Sequence, residues 1–109
     1  MTKRIKKNIN WLKALTALDD TEQNQVLIKA KPENVNALCD CIKNVLVGTI
    51  PLKSSIKTKI KTKKNILRRT TDKKVKVPER RRLLVQHGGG LISAILIPAL
   101  AALSENLLK

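Results

Sequence analysis

The sequence predicts an all-α protein: a small bundle of short helices with a basic, partly disordered middle and a short apolar C-terminal helix. Three observations support this prediction. Apolar residues recur at spacings of three and four through the first half, prolines and glycines interrupt these stripes, and a run of positive charge separates them from an apolar end. With 109 residues, the chain has room for only one small core.

The first part, residues 1–50, is expected to be helical. Its first apolar face recurs at helical spacing and consists of Ile5, Ile9, Leu12, Leu15 and Leu18. Asp19, Asp20 and Thr21 indicate a stop followed by the cap of a short helix that runs through Ala30. Trp11, the only aromatic residue, is interpreted as an anchor in the helical core.

A further helix is expected to begin near Pro32, since proline suits the first turn, and to end before Gly48. Its shared apolar face consists of Val35, Leu38, Ile42, Val45 and Leu46. Cys39 and Cys41 are interpreted as buried, reduced thiols. Together with the single histidine, His87, they are too few for a four-ligand zinc site built from Cys and His, and no metal or cofactor is expected.

The middle part, residues 51–87, is strongly basic. Residues 53–82 contain 14 lysines and arginines, interrupted only by Asp72 and Glu79. A helix with so much like charge and so thin an apolar stripe is marginal alone, and partial disorder is therefore expected. Pro78 and Glu79 suit the first turn of a helix that continues through Val85.

This charge pattern indicates binding to phosphate, because a merely solvated face usually interleaves both signs. The whole chain has a net charge of +15, which attracts polyanions. The candidate nucleic-acid-binding residues are Lys53, Lys57, Lys59, Lys61, Lys63, Lys64, Arg68, Arg69, Lys73, Lys74, Lys76, Arg80, Arg81 and Arg82. A single aromatic residue argues against base stacking on single strands and favours a duplex backbone, bound without sequence preference.

The C-terminal part consists of a glycine hinge, residues 88–90, and an apolar tail, residues 91–109. Leu91 to Leu103 is apolar except for Ser93. As a helix these residues would span roughly 20 Å, short of a hydrocarbon core of roughly 30 Å, and Pro98 is expected to kink it. Three roles stay open for residues 91–103: docking on a partner such as a capsid protein, lying in a membrane interface, or closing the helical core.

Two segments resemble known families. RRRLLVQHGGGLISAILIPALAAL, residues 80–103, resembles the junction in the precursor of adenovirus core protein mu, where an Arg-rich stretch precedes glycines and a hydrophobic segment. LCDCIKNVLVGTIPLKSSIKTKI, residues 38–60, is similar to small basic proteins of Polinton/Maverick elements and adintoviruses. The longer helical N-terminal half departs from mu and is closer to the Polinton type.

The resemblance implies a sequence-nonspecific protein of a virion core that binds and condenses double-stranded DNA, located in the virion core and the host nucleus. It also implies a precursor cut by a viral cysteine protease. Gln86, His87, Gly88 and Gly89 before Gly90 are similar to that protease's sites, which places the cut after Gly89. The family's sites often have Met, Ile or Leu where Gln86 stands, and a mere glycine linker stays the alternative.

Two other classes of function stay open: a membrane-active, capsid-associated factor that uses the apolar tail, and an RNA-binding basic protein. An enzyme is not expected, because the sequence shows no nucleophile–base pair, no paired carboxylates and no metal cluster. The sequence does not indicate an oligomeric state.

Overall fold

The computed structural model describes residues 2–48, 50–88 and 90–108, with the side chains of these residues except Thr2 and 103–108.

The N-terminal apolar face divides into two helices. Helix α1 (Thr2–Lys7) and helix α2 (Ile9–Thr16) separate at Asn8. The buried Asn8 side chain donates from Nδ2 to the carbonyl oxygen of Arg4 at 2.8 Å. Such a bond competes with the regular helical pattern, and this explains the break in the apolar face.

Helices α3 (Asp20–Lys29) and α4 (Pro32–Leu46) begin and end where the sequence predicts. Asp19 Oδ1 accepts from the backbone N–H of Glu22 at 2.8 Å, and Glu22 Oε1 accepts from the N–H of Asp19 at 3.3 Å. This reciprocal pair satisfies two N–H groups that a helix start leaves unpaired. Beyond α4, Gly48 has a φ of 81°, which favours glycine.

The basic middle forms three helices: α5 (Ser54–Thr62), α6 (Lys64–Thr71) and α7 (Val77–His87). In the described residues this differs from the partial disorder that the sequence predicts. The reason is that the thin apolar stripe has a partner. Ile60 and Leu67 are buried in the common core, and Ile56 packs against it. Tertiary packing stabilises helices that would be marginal alone.

The C-terminal helix α8 (Leu91–Leu108) packs on α4, α2 and α5. Its buried side chains are Leu91, Ile92, Ile95, Leu96, Ala99 and Leu100. Residues 91–102 therefore close the core. Pro98 lies inside α8, where its missing N–H leaves one helical hydrogen bond unmade. The backbone of α8 is helical to Leu108. The short apolar C-terminal helix of the tail, residues 91–109, stays a prediction, because the side chains from Leu103 onward are outside the described part.

Helix α4 lies at the centre of the fold, in contact with α1, α2, α6, α7 and α8. Cys39 and Cys41 point to different sides of α4, yet both are buried and free, as the sequence predicts. Burial raises the pKa of Cys39 to about 11 and that of Cys41 to about 12. Because α4 is covered on several sides, one core joins residues from Ile5 to Leu100.

Candidate nucleic-acid interface

The candidate lysines around α5 are turned to solvent. Those with exposed side chains are Lys53, Lys57, Lys59, Lys61 and Lys64. Lys63, at the break between α5 and α6, is half-buried. Lys57, Lys61 and Lys64 are four and three residues apart, so they share a side of the helices, and they border a shallow cleft beside the end of α4. This places three cations close together on one surface.

The candidate residues of α6 and the following loop continue this exposed charge. Arg68, Lys73, Lys74 and Lys76 have exposed side chains. We call the following residues the exposed basic residues: Lys53, Lys57, Lys59, Lys61, Lys64, Arg68, Lys73, Lys74 and Lys76. In the described part of the chain, none of them belongs to an ion pair. Their charges are therefore free to meet an external anion.

Arg80 lies at a different kind of position, half-buried between α7 and α4. Its Nη1 donates to Asn36 Oδ1 at 3.0 Å, and its Nη2 donates to the carbonyl oxygen of Asp72 at 2.6 Å. The guanidinium thus joins α7 to α4 and to the end of α6. It supports the fold in addition to any contact with a ligand.

Arg81 caps the C-terminal end of α3. Its Nη1 donates to the carbonyl oxygen of Ile28 at 2.9 Å, and its Nη2 donates to that of Ala30 at 2.7 Å. The last carbonyls of a helix lack internal donors and attract a cation. The pattern of the sequence does not reveal this role, because residues 28 and 81 become neighbours only when α7 packs on α3.

Glu79 binds two of the candidate arginines. Arg82 donates from Nε to Glu79 Oε2 at 2.9 Å, and Arg69 Nη2 lies 3.2 Å from Glu79 Oε1. The hydrogen bond from Arg82 is the main cause that lowers the pKa of Glu79, and the positive charges of Arg82 and Arg69 add to it. The spacing of three residues between Glu79 and Arg82 is a signal in the sequence that could have shown this pair.

The described residues of the predicted processing segment lie where α7 ends and α8 begins, with Gln86 and His87 in α7. Gln86 is exposed and accepts from Arg82 Nη1 at 2.9 Å. Gly88 is buried, whereas Gly90 has a φ of 71° and donates its N–H to Asp20 Oδ1 at 3.0 Å. Gly89, after which the cut is predicted, lies outside the described residues. The glycines on either side of it hold defined positions in the turn.

In the described residues, no three His, Cys, Asp or Glu side chains lie close enough to hold a metal ion. Within the same residues no single helix has the length and apolar composition to cross a membrane. Helix α7 and residues 91–102 reach that length and composition only together, as a pair of helices bent by 109°.

The fold and the surface together define a small all-α protein with unpaired basic residues along α5, α6 and the loop that follows. No model of a known protein family, no curated protein and no solved structure matches the chain.

Proposed function

We propose that this protein binds double-stranded DNA without sequence preference and condenses it, in a binding and not a catalytic role. The supporting observation is the set of exposed basic residues, which no carboxylate of the described chain neutralises. Like charge concentrated on a small protein repels itself, and a polyanion relieves this repulsion. A duplex supplies closely spaced phosphates and releases its counterions when the lysines bind.

The exposed lysines and Arg68 would bind phosphate in different ways. Flexible lysines act as point charges against phosphates, whereas Arg68 can grip one phosphate through two parallel hydrogen bonds. The exposed cations on α5, α6 and the loop that follows neutralise phosphates of the duplex, and neutralised duplexes can pack closely.

The test is binding to an arbitrary duplex of about 30 base pairs across a salt series. Affinity is expected to fall by orders of magnitude between about 50 and about 200 mM salt. The variant Lys57→Gln/Lys61→Gln/Lys64→Gln should reduce the salt slope by about 2 to 3, one unit or slightly less for each lost phosphate contact. Weak salt dependence, or a strong preference for one sequence, would contradict the proposal.

A matched control separates the interface from total charge. Lys6→Gln/Lys13→Gln/Lys29→Gln removes the same charge from exposed positions on α1, α2 and α3 that form no ion pair in the described residues. We expect this variant to keep most of the salt slope. Equal losses in both variants would show that net charge alone attracts DNA and that α5 and α6 are not the interface.

Because of the sequence resemblance, we extend the proposal to a virion core protein, acting in the virion core and the host nucleus and made as a precursor cut after Gly89. Exposed Gln86 and Gly90 flank the site. Mass spectrometry of the protein taken from particles measures this directly. A fragment that ends at Gly89 is expected, and intact chain alone would refute the processing step.

A membrane-active role is the second candidate, favoured by the exposure of Ile97 on apolar helix α8. Anionic liposomes placed in parallel with the duplex distinguish the two functions. Binding to liposomes that persists at high salt and is weakened by Ile97→Gln would favour the membrane, since an apolar contact is not screened. The DNA proposal expects the duplex to bind more tightly at low salt.

A further inference from the structure

A second basic feature lies away from α5, in a cleft between α1, α4 and the loop from α6 to α7. The cleft has a volume of about 500 Å³, and five cationic side chains and one carboxylate, Asp40, line it. The cations are Arg4, Lys43, Lys73, Lys76 and Arg80. Small-molecule sites in proteins have volumes of a few hundred to about 1,000 Å³, and this cleft lies within that range.

One of the two arginines of the cleft, Arg80, is held in place before any ligand arrives. Arg80 is fixed by its bonds to Asn36 Oδ1 and to the carbonyl oxygen of Asp72. The side chain of Arg4 is about half exposed, and its Nε lies 3.5 Å from Asp40 Oδ2 without a hydrogen bond. Side chains that are already ordered lose little conformational freedom when they bind, which favours affinity.

The three lysines of the cleft are charged groups without an ion pair in the described chain. Lys43 is half-buried on α4, whereas Lys73 and Lys76 are exposed on the loop that faces it. The cleft therefore brings positive charge together from several elements, against a single carboxylate. Such a cluster repels itself and is relieved by an anion that spans it.

We propose that this cleft binds a compact anion with adjacent phosphate groups. Cations on several sides suit a ligand with several negative oxygens better than they suit a monovalent ion. The phosphates have two sources: a free polyphosphate compound or the phosphorylated end of a DNA strand. The cleft shares Lys73 and Lys76 with the exposed basic residues, but its half-buried members, Lys43 and Arg80, do not belong to that set, and the lysines of α5 do not line the cleft.

The probe is tripolyphosphate, titrated into the full chain by calorimetry and compared with sulfate at the same ionic strength. We expect one tripolyphosphate per chain, bound at least about tenfold more tightly than sulfate, because more charge-assisted hydrogen bonds form. Lys43→Gln/Lys76→Gln is expected to weaken this binding by about tenfold or more. Lys57→Gln/Lys61→Gln, which removes equal charge from α5, should leave it nearly unchanged.

Asp40→Asn should change the affinity for tripolyphosphate in the opposite direction to the lysine variant. Asp40 is the one carboxylate at the cleft and opposes an incoming anion, so its neutral amide should tighten tripolyphosphate binding several-fold. Equal affinity for tripolyphosphate and sulfate would overturn the site. So would equal weakening by the two lysine variants, or weaker binding by a folded Asp40→Asn protein.

Duplexes with and without 5′-phosphates distinguish the two sources. A preference for phosphorylated ends that disappears in Lys43→Gln/Lys76→Gln would assign the cleft to a strand end. Tight tripolyphosphate binding without such a preference would assign it to a free compound. Failure of the duplex proposal is seen separately, in the salt slope of the α5 variants.

Discussion

Arg80, Arg81 and Arg82 show how neighbouring residues of one type divide between different roles. The sequence predicts all three as phosphate ligands. In the structure, Arg80 and Arg81 bind carbonyl oxygens within the protein, and Arg82 binds Glu79. The partners of Arg80 and Arg81 are set by the packing of α7, which the local sequence does not reveal, whereas the spacing of Glu79 and Arg82 does indicate their pair. The exposure of the lysines around α5, in contrast, follows from their number, since one small core cannot bury them.

Arg81 and Arg68 should therefore respond differently to the same substitution. Arg81→Gln is expected to lower the free energy of unfolding by about 1 to 3 kcal/mol, because two carbonyls at the end of α3 lose a charged donor. Arg68→Gln should change it by less than about 0.5 kcal/mol, yet reduce the salt slope of duplex binding by about 1. Urea denaturation and the salt series measure both. Equal stability of the two variants would refute the capping role of Arg81.

The buried thiols predict a loss of stability at alkaline pH. Burial raises the pKa to about 11 for Cys39 and about 12 for Cys41 in the folded chain, from 9.0 for a thiol in water. Above about pH 9 the unfolded chain releases these protons and the folded chain retains them, so rising pH favours unfolding. Between pH 8 and pH 10 the loss should be about 1 kcal/mol per thiol.

Urea denaturation at the two pH values checks this prediction. The control is Cys39→Ala/Cys41→Ala, which retains every lysine and so shares all other titrations in this range. The native chain should lose more stability than this control. An equal loss in both proteins would mean that the thiols are accessible to water in the folded state.

At the scale of elements, the ends of α3 and α4 can be predicted from the sequence because their signals are local. Asp19 and Glu22 cap one helix, and Pro32 and Gly48 bound the next. The order of α5 and α6 cannot be predicted in this way. Their stability comes from contacts with α4 and α8, which are distant in sequence. The spacing of apolar residues indicates only the thin apolar stripe on α5 and α6. It does not indicate that α4 and α8 cover this stripe.

The glycines of two connections should differ in their tolerance of alanine. A Cβ on Gly88 would meet Ile92 Cδ1 at 2.6 Å and also the carbonyl oxygen of Leu84, which cannot move without disturbing α7. A Cβ on Gly48 meets nothing within 4 Å and has only the strain of its φ of 81°. We expect Gly88→Ala to cost more than about 2 kcal/mol and Gly48→Ala about 1 kcal/mol. Thermal denaturation compares them, and the reverse order would contradict the close approach of Gly88 to Leu84 and Ile92.

At the scale of the whole molecule, a net charge of +15 acts on a chain of 109 residues. Composition divides the chain into residues 1–50, 51–87, 88–90 and 91–109, yet helices from the three longer parts share one core. The sequence therefore predicts the class of fold and where the charge lies. It does not predict which cations meet in the cleft beside α4, because this depends on how α1 and the loop before α7 come together.

The charge predicts that salt stabilises the protein. Raising NaCl from about 0.05 to about 0.5 M shortens the Debye length from roughly 14 to roughly 4 Å and screens repulsion among the lysines. The midpoint of thermal unfolding should rise by several degrees. Circular dichroism measures this, and lowering the charge with Lys57→Gln/Lys61→Gln/Lys64→Gln should reduce the increase. A midpoint that falls with salt would show that attractive pairs dominate over repulsion.

The buried face of α8 changes what a cut in the glycine turn would do. Leu91, Ile95 and Leu96 would still lie in the core after the backbone is broken, so the two pieces would remain together as a non-covalent complex. Folding of an intact chain does not depend on its concentration, whereas such a complex dissociates on dilution. At the high concentration of a packed compartment the tail would stay in place. When the complex is diluted into a large volume, the tail would dissociate from the rest of the protein, and the apolar surface of α4 would then be exposed.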